Sequence, residues 1–366
     1  MKVLSVFGTR PEAIKMAPVV KCLEGHEEIE SYVCVTGQHR QMLDQVLSLF
    51  NIKPDFDLEI MKHNQSLSYL TSSVLNGIES ILSRENYDWL LVQGDTTTVM
   101  AASLAAFYQG ISIGHVEAGL RTYDKYHPFP EEMNRRIVDT VADLLFAPTS
   151  QAKANLLREN IDASKIIVTG NTIVDALKFI LEHSTVQYDE WGIDEDARLI
   201  LVTAHRRENW GEPLNQICHA LRDLAFTHPD VQFLYPVHYN PNVRSVVYRE
   251  LQGIPNVILT DPLDYQNFVY WLKRAALVLT DSGGVQEEAA TLGKPLLIMR
   301  NATERPEVFN SQVTKLVGTD RSLIVQEVNQ LLENSDDVVD REFFMGIFGD
   351  GDASCRIVEA LFEHTT

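Results

Sequence analysis

Short apolar runs, rich in β-branched residues and Leu, recur along the chain, and between them lie longer stretches with apolar residues at three-to-four spacing. The runs Lys2–Phe7, Ser31–Thr36, Trp89–Gln93, Ile111–Val116, Leu144–Ala147 and Ile166–Thr169 form a first set. Leu199–Thr203, Gln232–Pro236, Val257–Leu259, Leu277–Thr280, Pro295–Met299 and Thr314–Val317 form a second. Runs that are mostly apolar, rather than alternating, are what strands covered on both faces of a parallel sheet require. Pro11–Leu23 and Thr97–Tyr108 carry the helical spacing. Strand-helix alternation predicts an α/β fold of βαβ units wound into two doubly wound sheets. The join is expected between Gly170 and Asp196, where Val186–Ala197 is polar, acidic and weakly periodic. The expected domains are residues 1–170, completed by a helix over 352–366, and residues 171–351. A cleft between them would be the substrate site.

Composition narrows the class. A chain of 366 residues, 45% hydrophobic and 22% charged, is an ordinary globular protein. No apolar run approaches the ~18 residues of a membrane span. The apolar stretch after Lys2 stops at Gly8 and meets Arg10, too short for an export signal, so the cytoplasm is the expected location. Cys22, Cys34, Cys218 and Cys355 make no CxxC pair and are expected to be small buried hydrophobes, not a zinc site or a disulfide framework. The net charge of −20 argues against nucleic acid and anionic membrane as partners, while leaving room for a small anion at a local cluster of arginines.

In open α/β sheets ligands bind beyond the carboxyl ends of the strands, so polar residues there carry the function. The first run leads into Gly8-Thr9-Arg10-Pro11-Glu12-Ala13-Ile14-Lys15. Gly8 suits a tight turn, Pro11 the first helical position, and Arg10 and Lys15 can face the mouth of a cleft. Neither GxGxxG nor a P-loop occurs, so no nicotinamide or ATP site is supported and no cofactor is expected. Asp95 follows the third run, within Gly94-Asp95-Thr96, and by itself is more commonly explained by helix capping. Glu117 follows the fourth, between small residues where packing gives it no purpose. Glu131 and Arg135 share a face of the helix begun by Pro130-Glu131, which would serve for a surface ion pair alone. Three carboxylates at the mouth of one domain point to acid/base chemistry. In the second domain, His205-Arg206-Arg207 suits a phosphate-bearing ligand. Ser282-Gly283-Gly284 lets a diphosphate approach backbone amides, Glu288 can accept ribose hydroxyls, and Arg305 can clamp phosphate oxygens.

The segments FGTRPEAIKMAP, QHRQMLDQVL, GDTTT, GHVEAGLRT, PEEMNRR, TGNT, TAHRREN, YPVHYNPNVR, TDSGGVQEEA and TERPE occur in that order. In them the chain resembles the non-hydrolysing UDP-N-acetylglucosamine 2-epimerases of bacteria and archaea over essentially its whole length. The resemblance implies two Rossmann-like domains in the GT-B arrangement, a cytoplasmic homodimer, and production of UDP-N-acetylmannosamine for surface polysaccharides. It places Arg10, Lys15, Asp95, Glu117, Glu131 and Arg135 on the sugar side. His205, Ser282, Gly283, Gly284, Glu288 and Arg305 would hold UDP, with Phe268 near the uracil. An activating second sugar nucleotide would be met by Gln38, Gln41, Glu131, Arg206 and His238. The chain departs from the pattern at Gln93, where many members have His, and at Val308–Val313, where a small Ala-Gly-Thr-type segment is usual.

The C2 proton of such a sugar is not adjacent to a carbonyl, so direct deprotonation is poorly stabilised. The family's route avoids this by eliminating UDP to 2-acetamidoglucal and adding it back with a proton on the other face. On that route Asp95 or Glu117 is expected as base, Glu131 as the opposite-face acid, and His205 at the phosphate or the leaving oxygen. Three alternatives share much of the pattern: a hydrolysing 2-epimerase, a diacetamido-sugar 2-epimerase and a GT-B glycosyltransferase. The intact first motif favours UDP-N-acetylglucosamine over the first two, and the carboxylates would be unexplained in the third.

Overall fold

The computed structural model describes residues 1–37, 40–60, 65–183, 191–194, 196–310, 313–333 and 346–365. Two compact units emerge, Met1–Phe179 with Phe348–Thr366, and Ile180–Ile347. The division falls inside the helix Thr172–His183 rather than at Gly170. The reason is side-chain contact: Phe179 stacks on Phe50 at 4.9 Å, and Asp175 accepts from the Ser354 amide at 2.8 Å, so most of that helix packs with the first unit.

The first unit holds the strands β1 (Lys2–Phe7), β2 (Glu30–Val35), β3 (Phe56–Asp57), β4 (Trp89–Gln93), β5 (Ser112–Val116), β6 (Leu144–Ala147) and β7 (Ile166–Val168). They form one parallel sheet in the order β3-β2-β1-β4-β5-β6-β7. β4 and β6 are buried at every residue, as near-continuous apolar runs demand when helices cover both faces. Leu4, Val6, Leu90, Val92, Val99 and Leu145 meet in its core.

The second unit holds β8 (Arg198–Thr203), β9 (Val231–Pro236), β10 (Val257–Thr260), β11 (Leu277–Thr280), β12 (Leu296–Ile298) and β13 (Thr314–Leu316). This sheet is also parallel, in the order β10-β9-β8-β11-β12-β13. Its core gathers Ile200, Val202, Phe233, Leu279 and Leu297. All twelve expected strands are present within a residue or two. Among the described residues only β3, two residues long, was not expected.

Each sheet reverses its strand order once, between β1 and β4 and between β8 and β11. At such a switch point neighbouring connections leave on opposite faces and open a crevice at the carboxyl ends. Gly8, Asp95 and their neighbours stand at the first, and His205 and Ser282 at the second. Among the described residues no helix is long and apolar enough to cross a membrane.

Candidate active site

The helix Arg10–Glu24 begins with Thr9 as its N-cap, completed by a capping box with Glu12. Glu12 is buried, and one of its oxygens accepts from the amides of Gly8 and Thr9, each at 2.7 Å. Thr96 Oγ1 donates to the other at 2.5 Å, which ties the β1 turn to the β4 turn. Burial raises the Glu12 carboxyl, and these donors oppose it. The Gly8 and Thr9 amides are thus occupied by the protein's own carboxylate. Gly8 is required by close approach, since a Cβ there would lie 2.0 Å from Thr36 Oγ1.

Lys15, expected at the mouth of a cleft, is buried. Its ammonium forms an ion pair with Glu117, and the two side chains are 6% and 8% exposed. A lone buried cation would be strongly disfavoured, so the pairing explains the position. Asn171 Nδ2 donates to the same Glu117 oxygen at 2.9 Å. Glu117 itself has φ +67°, a left-handed conformation that few side chains adopt and that tends to be kept where it serves a function. Asp95, by contrast, is partly open and ion-paired to the buried Arg135. Asn134 Nδ2 donates to the Asp95 carbonyl at 2.9 Å, fixing the backbone beside it. Glu131 opens the helix Glu131–Val141 and is half-buried, while its neighbour Glu132 is fully buried and accepts from the Thr122 and Tyr123 amides at 3.1 Å.

Behind both carboxylates runs a buried polar chain. His115 Nε2 lies 2.7 Å from the Gly94 carbonyl, which only a donor nitrogen satisfies, and His115 Nδ1 lies 2.6 Å from Asp139. The other Asp139 oxygen accepts from the Gly119 amide at 3.3 Å and from Arg121 Nη2 at 2.7 Å. Arg121 continues to Glu159 at 2.7 Å. One aspartate therefore braces the Gly94-Asp95 turn and the Glu117–Gly119 turn together.

In the second unit the corresponding brace is Asp281, fully buried at the end of β11. One of its oxygens accepts from the His205 amide at 2.9 Å, the Arg206 amide at 2.8 Å and Asn209 Nδ2 at 3.0 Å. The His205 ring stacks on His238 at 5.3 Å. His205 keeps 37% of its side chain accessible, yet the turn crowds the ring enough that desolvation lowers its pKa. Arg206 lowers it further and Asp281 opposes both. The open part of the ring limits the shift, and its direction leaves His205 a neutral imidazole at neutral pH. His238 Nδ1 accepts from the Asn240 amide at 3.1 Å, which places any ring proton on its other nitrogen.

The helix Gly283–Thr291 starts at Ser282, whose side chain makes no capping bond. A Cβ on Gly283 would lie 2.7 Å from Arg305 Nη1, so the guanidinium rests on glycine backbone. Gly284 faces open space, with nothing within 4 Å of where its Cβ would be. Arg305 donates to Glu287 at 2.5 Å and pairs with Glu304 at 2.9 Å. Arg300 joins Glu304 at 2.9 Å to Glu208 at 2.7 Å. A ladder of alternating charge, buried except at Glu208, thus fixes Arg305 beside the helix start. Glu288 is buried one turn further on, and Phe268 lines the inner face of the helix Tyr265–Arg274.

The family model described as UDP-N-acetylglucosamine 2-epimerase matches residues 21–362. The chain belongs to that family. The UDP-N-acetylglucosamine 2-epimerase of Escherichia coli K12 is 52% identical over 369 residues, covering 99% of this chain and 98% of the relative. The crystal structure of the Neisseria meningitidis UDP-GlcNAc 2-epimerase bound to UDP-GlcNAc superposes with a TM-score of 0.94 at 47% identity, covering 100% of both chains. The Methanocaldococcus jannaschii UDP-GlcNAc 2-epimerase, in complex with UDP-GlcNAc and UDP, gives 0.86 at 33% identity, over 99% of this chain and 100% of that one.

For this member of the epimerase family, the first unit brings Lys15 to Glu117 and Asp95 to Arg135. The second gathers Ser282, Gly283, Gly284 and Arg305 at one helix start. Arg10 is half-buried at the opening of its helix, and Arg206 is half-buried beside His205. Gln38 lies outside the described residues, as does the Gln41 side chain. Sequence reasoning passed over Asn171, His115, Asp139, Glu287 and Glu304 as site-supporting residues. Asn171 stood within the TGNT motif, directly after a strand, and that was the available signal.

Proposed function

We propose that this chain epimerises C2 of UDP-N-acetylglucosamine, giving UDP-N-acetylmannosamine, by elimination and re-addition of UDP. The observation that carries this reading is Glu117, held in a left-handed turn at the end of β5 by Lys15 and Asn171. So constrained an acid at a switch point, beside the Asp95–Arg135 pair, suits proton transfer at a sugar carbon. Asp95 or Glu117 takes the C2 proton as the C1–O bond to the diphosphate breaks, and the C–H electron pair becomes the C1=C2 bond of 2-acetamidoglucal. Glu131 supplies a proton to the opposite face of C2, and the diphosphate oxygen re-forms its bond to C1. Arg305, the Ser282-Gly283-Gly284 amides and neutral His205 stabilise the departing diphosphate. The product would serve surface polysaccharide synthesis.

Incubation with UDP-N-acetylglucosamine in D2O, followed by proton NMR, tests the reaction. Product and recovered substrate should both carry deuterium at C2 without any added cofactor or metal. Turnover with C2 hydrogen fully retained would exclude an exchanging base. Free UDP and N-acetylmannosamine as main products would place the chain with hydrolysing enzymes.

The UDP-binding assignment is tested by Ser282→Ala, which should weaken UDP roughly tenfold, the worth of one hydrogen bond to a charged group. Arg305→Ala would also take a buried partner from Glu287 and Glu304, so Arg305→Lys is the cleaner variant. It keeps a cation but loses the fork, and should weaken UDP without unfolding the unit. Calorimetric titration with UDP reads both, and unchanged affinity in both variants would remove these residues from the diphosphate site.

A further inference from the structure

The four cysteines are not alike. Cys34 and Cys218 are fully buried, whereas Cys355 is exposed and Cys22 half-buried. Cys22 lies in the last turn of the helix Arg10–Glu24 and Cys355 in the first turn of the helix Ala353–Glu363. The two helices pack together, and the sulfurs are 3.8 Å apart although 333 residues separate them in the chain. The later helix is fixed at both ends. Asp175 accepts from Ser354 Oγ at 2.6 Å near its start, and Trp89 Nε1 donates to Thr365 at 2.9 Å beyond its end. Two thiols are thus held in van der Waals contact by a docked helix, one of them open to solvent.

We propose that Cys22 and Cys355 form a modification site for hydroperoxides, at which oxidation joins the two helices through a reversible disulfide. A disulfide needs its sulfurs ~2.05 Å apart, so the two thiols must close in from 3.8 Å for the bond to form. Burial pushes the Cys22 thiol up to about 12, with Cys355, Asp175 and Glu359 adding to it, so Cys22 stays protonated while Cys355 meets the oxidant. The Cys355 sulfur attacks one peroxide oxygen, the O–O bond breaks, and the thiol proton passes to the departing oxygen, which leaves as an alcohol (water, for hydrogen peroxide). Cys355 is then a sulfenic acid. Cys22 gives up its proton, its sulfur attacks the Cys355 sulfur, the S–O bond breaks and water leaves. Two thiols have lost two electrons, and the hydroperoxide has gained them. Cys22 lies two helical turns, ~10 Å, from Lys15, so the link forms away from the carboxylates.

The test is treatment of the full chain with hydrogen peroxide, alkylation of remaining thiols, and peptide mapping without reduction. Alkylatable cysteines should fall from four to two, with a Cys22–Cys355 linked peptide that dithiothreitol reverses, while Cys34 and Cys218 remain reduced. The oxidised chain should also unfold at a higher temperature than the reduced one, because the link restrains the unfolded chain. Cys355→Ser should abolish both changes. Cys22→Ser should leave a sulfenic acid on Cys355 that a cyclic 1,3-diketone traps. Sulfinic acid at Cys355 with Cys22 still alkylatable, or a link between two chains in place of one within the chain, would overturn the proposal.

Discussion

Replacing Glu117 by Gln should lower kcat by about 10²-fold or more, the scale of a lost acid/base group, while UDP binding is kept. The substitution preserves shape and Asn171 can still donate to it, so the turn at φ +67° should hold. What it removes is the charge that faces Lys15 and the ability to carry a proton. An interaction needed only in the transition state shows itself in kcat, not in affinity for a product fragment. Asp95→Asn and Glu131→Gln should behave in the same direction, and comparing their rates of C2 deuterium wash-in separates the base from the opposite-face acid. The variant that blocks exchange into recovered substrate carries the base. Turnover rates from NMR and UDP titration of each variant are the required pair of measurements. A Glu117→Gln protein with near-normal turnover would take that residue out of the proposed mechanism.

Removing Asp139 should produce the largest loss of stability, about 3–5 kcal/mol for Asp139→Ala, because it breaks a buried ion pair and takes the acceptor from two further buried groups. Arg121 keeps Glu159, but His115 and the Gly119 amide lose their acceptor. Burial alone would raise the Asp139 carboxyl; His115 and then Arg121 outweigh it and hold it below its ordinary 3.8. A carboxyl depressed in the fold contributes fully above its unfolded value and loses that contribution as pH falls through the folded one. Wild-type stability should therefore decline below about pH 4, and the Asp139→Ala protein should lack that part of the decline. Denaturant titration at pH 7 and at successive acid steps reads both effects. Equal acid slopes in the two proteins would mean that Asp139 is not the group responsible. The same variant should lose activity, since the Gly94 and Gly119 backbones are braced through it.

Much of the architecture was legible because buried parallel strands leave an unmistakable trace: apolar runs such as Trp89–Gln93 and Leu277–Thr280, set between helical patterns. β3 left none, since two residues at a sheet edge have no period to detect. The carboxylates at strand ends, Asp95 and Glu117, stood out as polar residues that packing could not explain. Their supports did not. Lys15 read as an exposed cation until its partner, 102 residues away, was known. Glu287 and Glu304 drew no reading, because an acid that meets its arginine across a turn carries no periodic pattern. Cys355, expected to be buried, is exposed because it opens its helix on the side away from Ala353 and Ser354, which are buried. Single buried charges and contacts across hundreds of residues have no local signature, so they emerge only when the chain is folded.

The helix Ala353–Glu363 belongs with residues 1–179, yet a ribosome makes it only after the whole of 180–347. At roughly 5–20 residues per second, that delay is on the order of ten to thirty seconds. Throughout it, the flank of Arg10–Glu24 that this helix will cover is bare, and Trp89 and Asp175 lack their late partners. The later unit, an uninterrupted stretch, has all its strands in hand before the earlier one is complete. Newly made chain is therefore most vulnerable in its oldest part, and a nascent-chain protease or chaperone would find its target there.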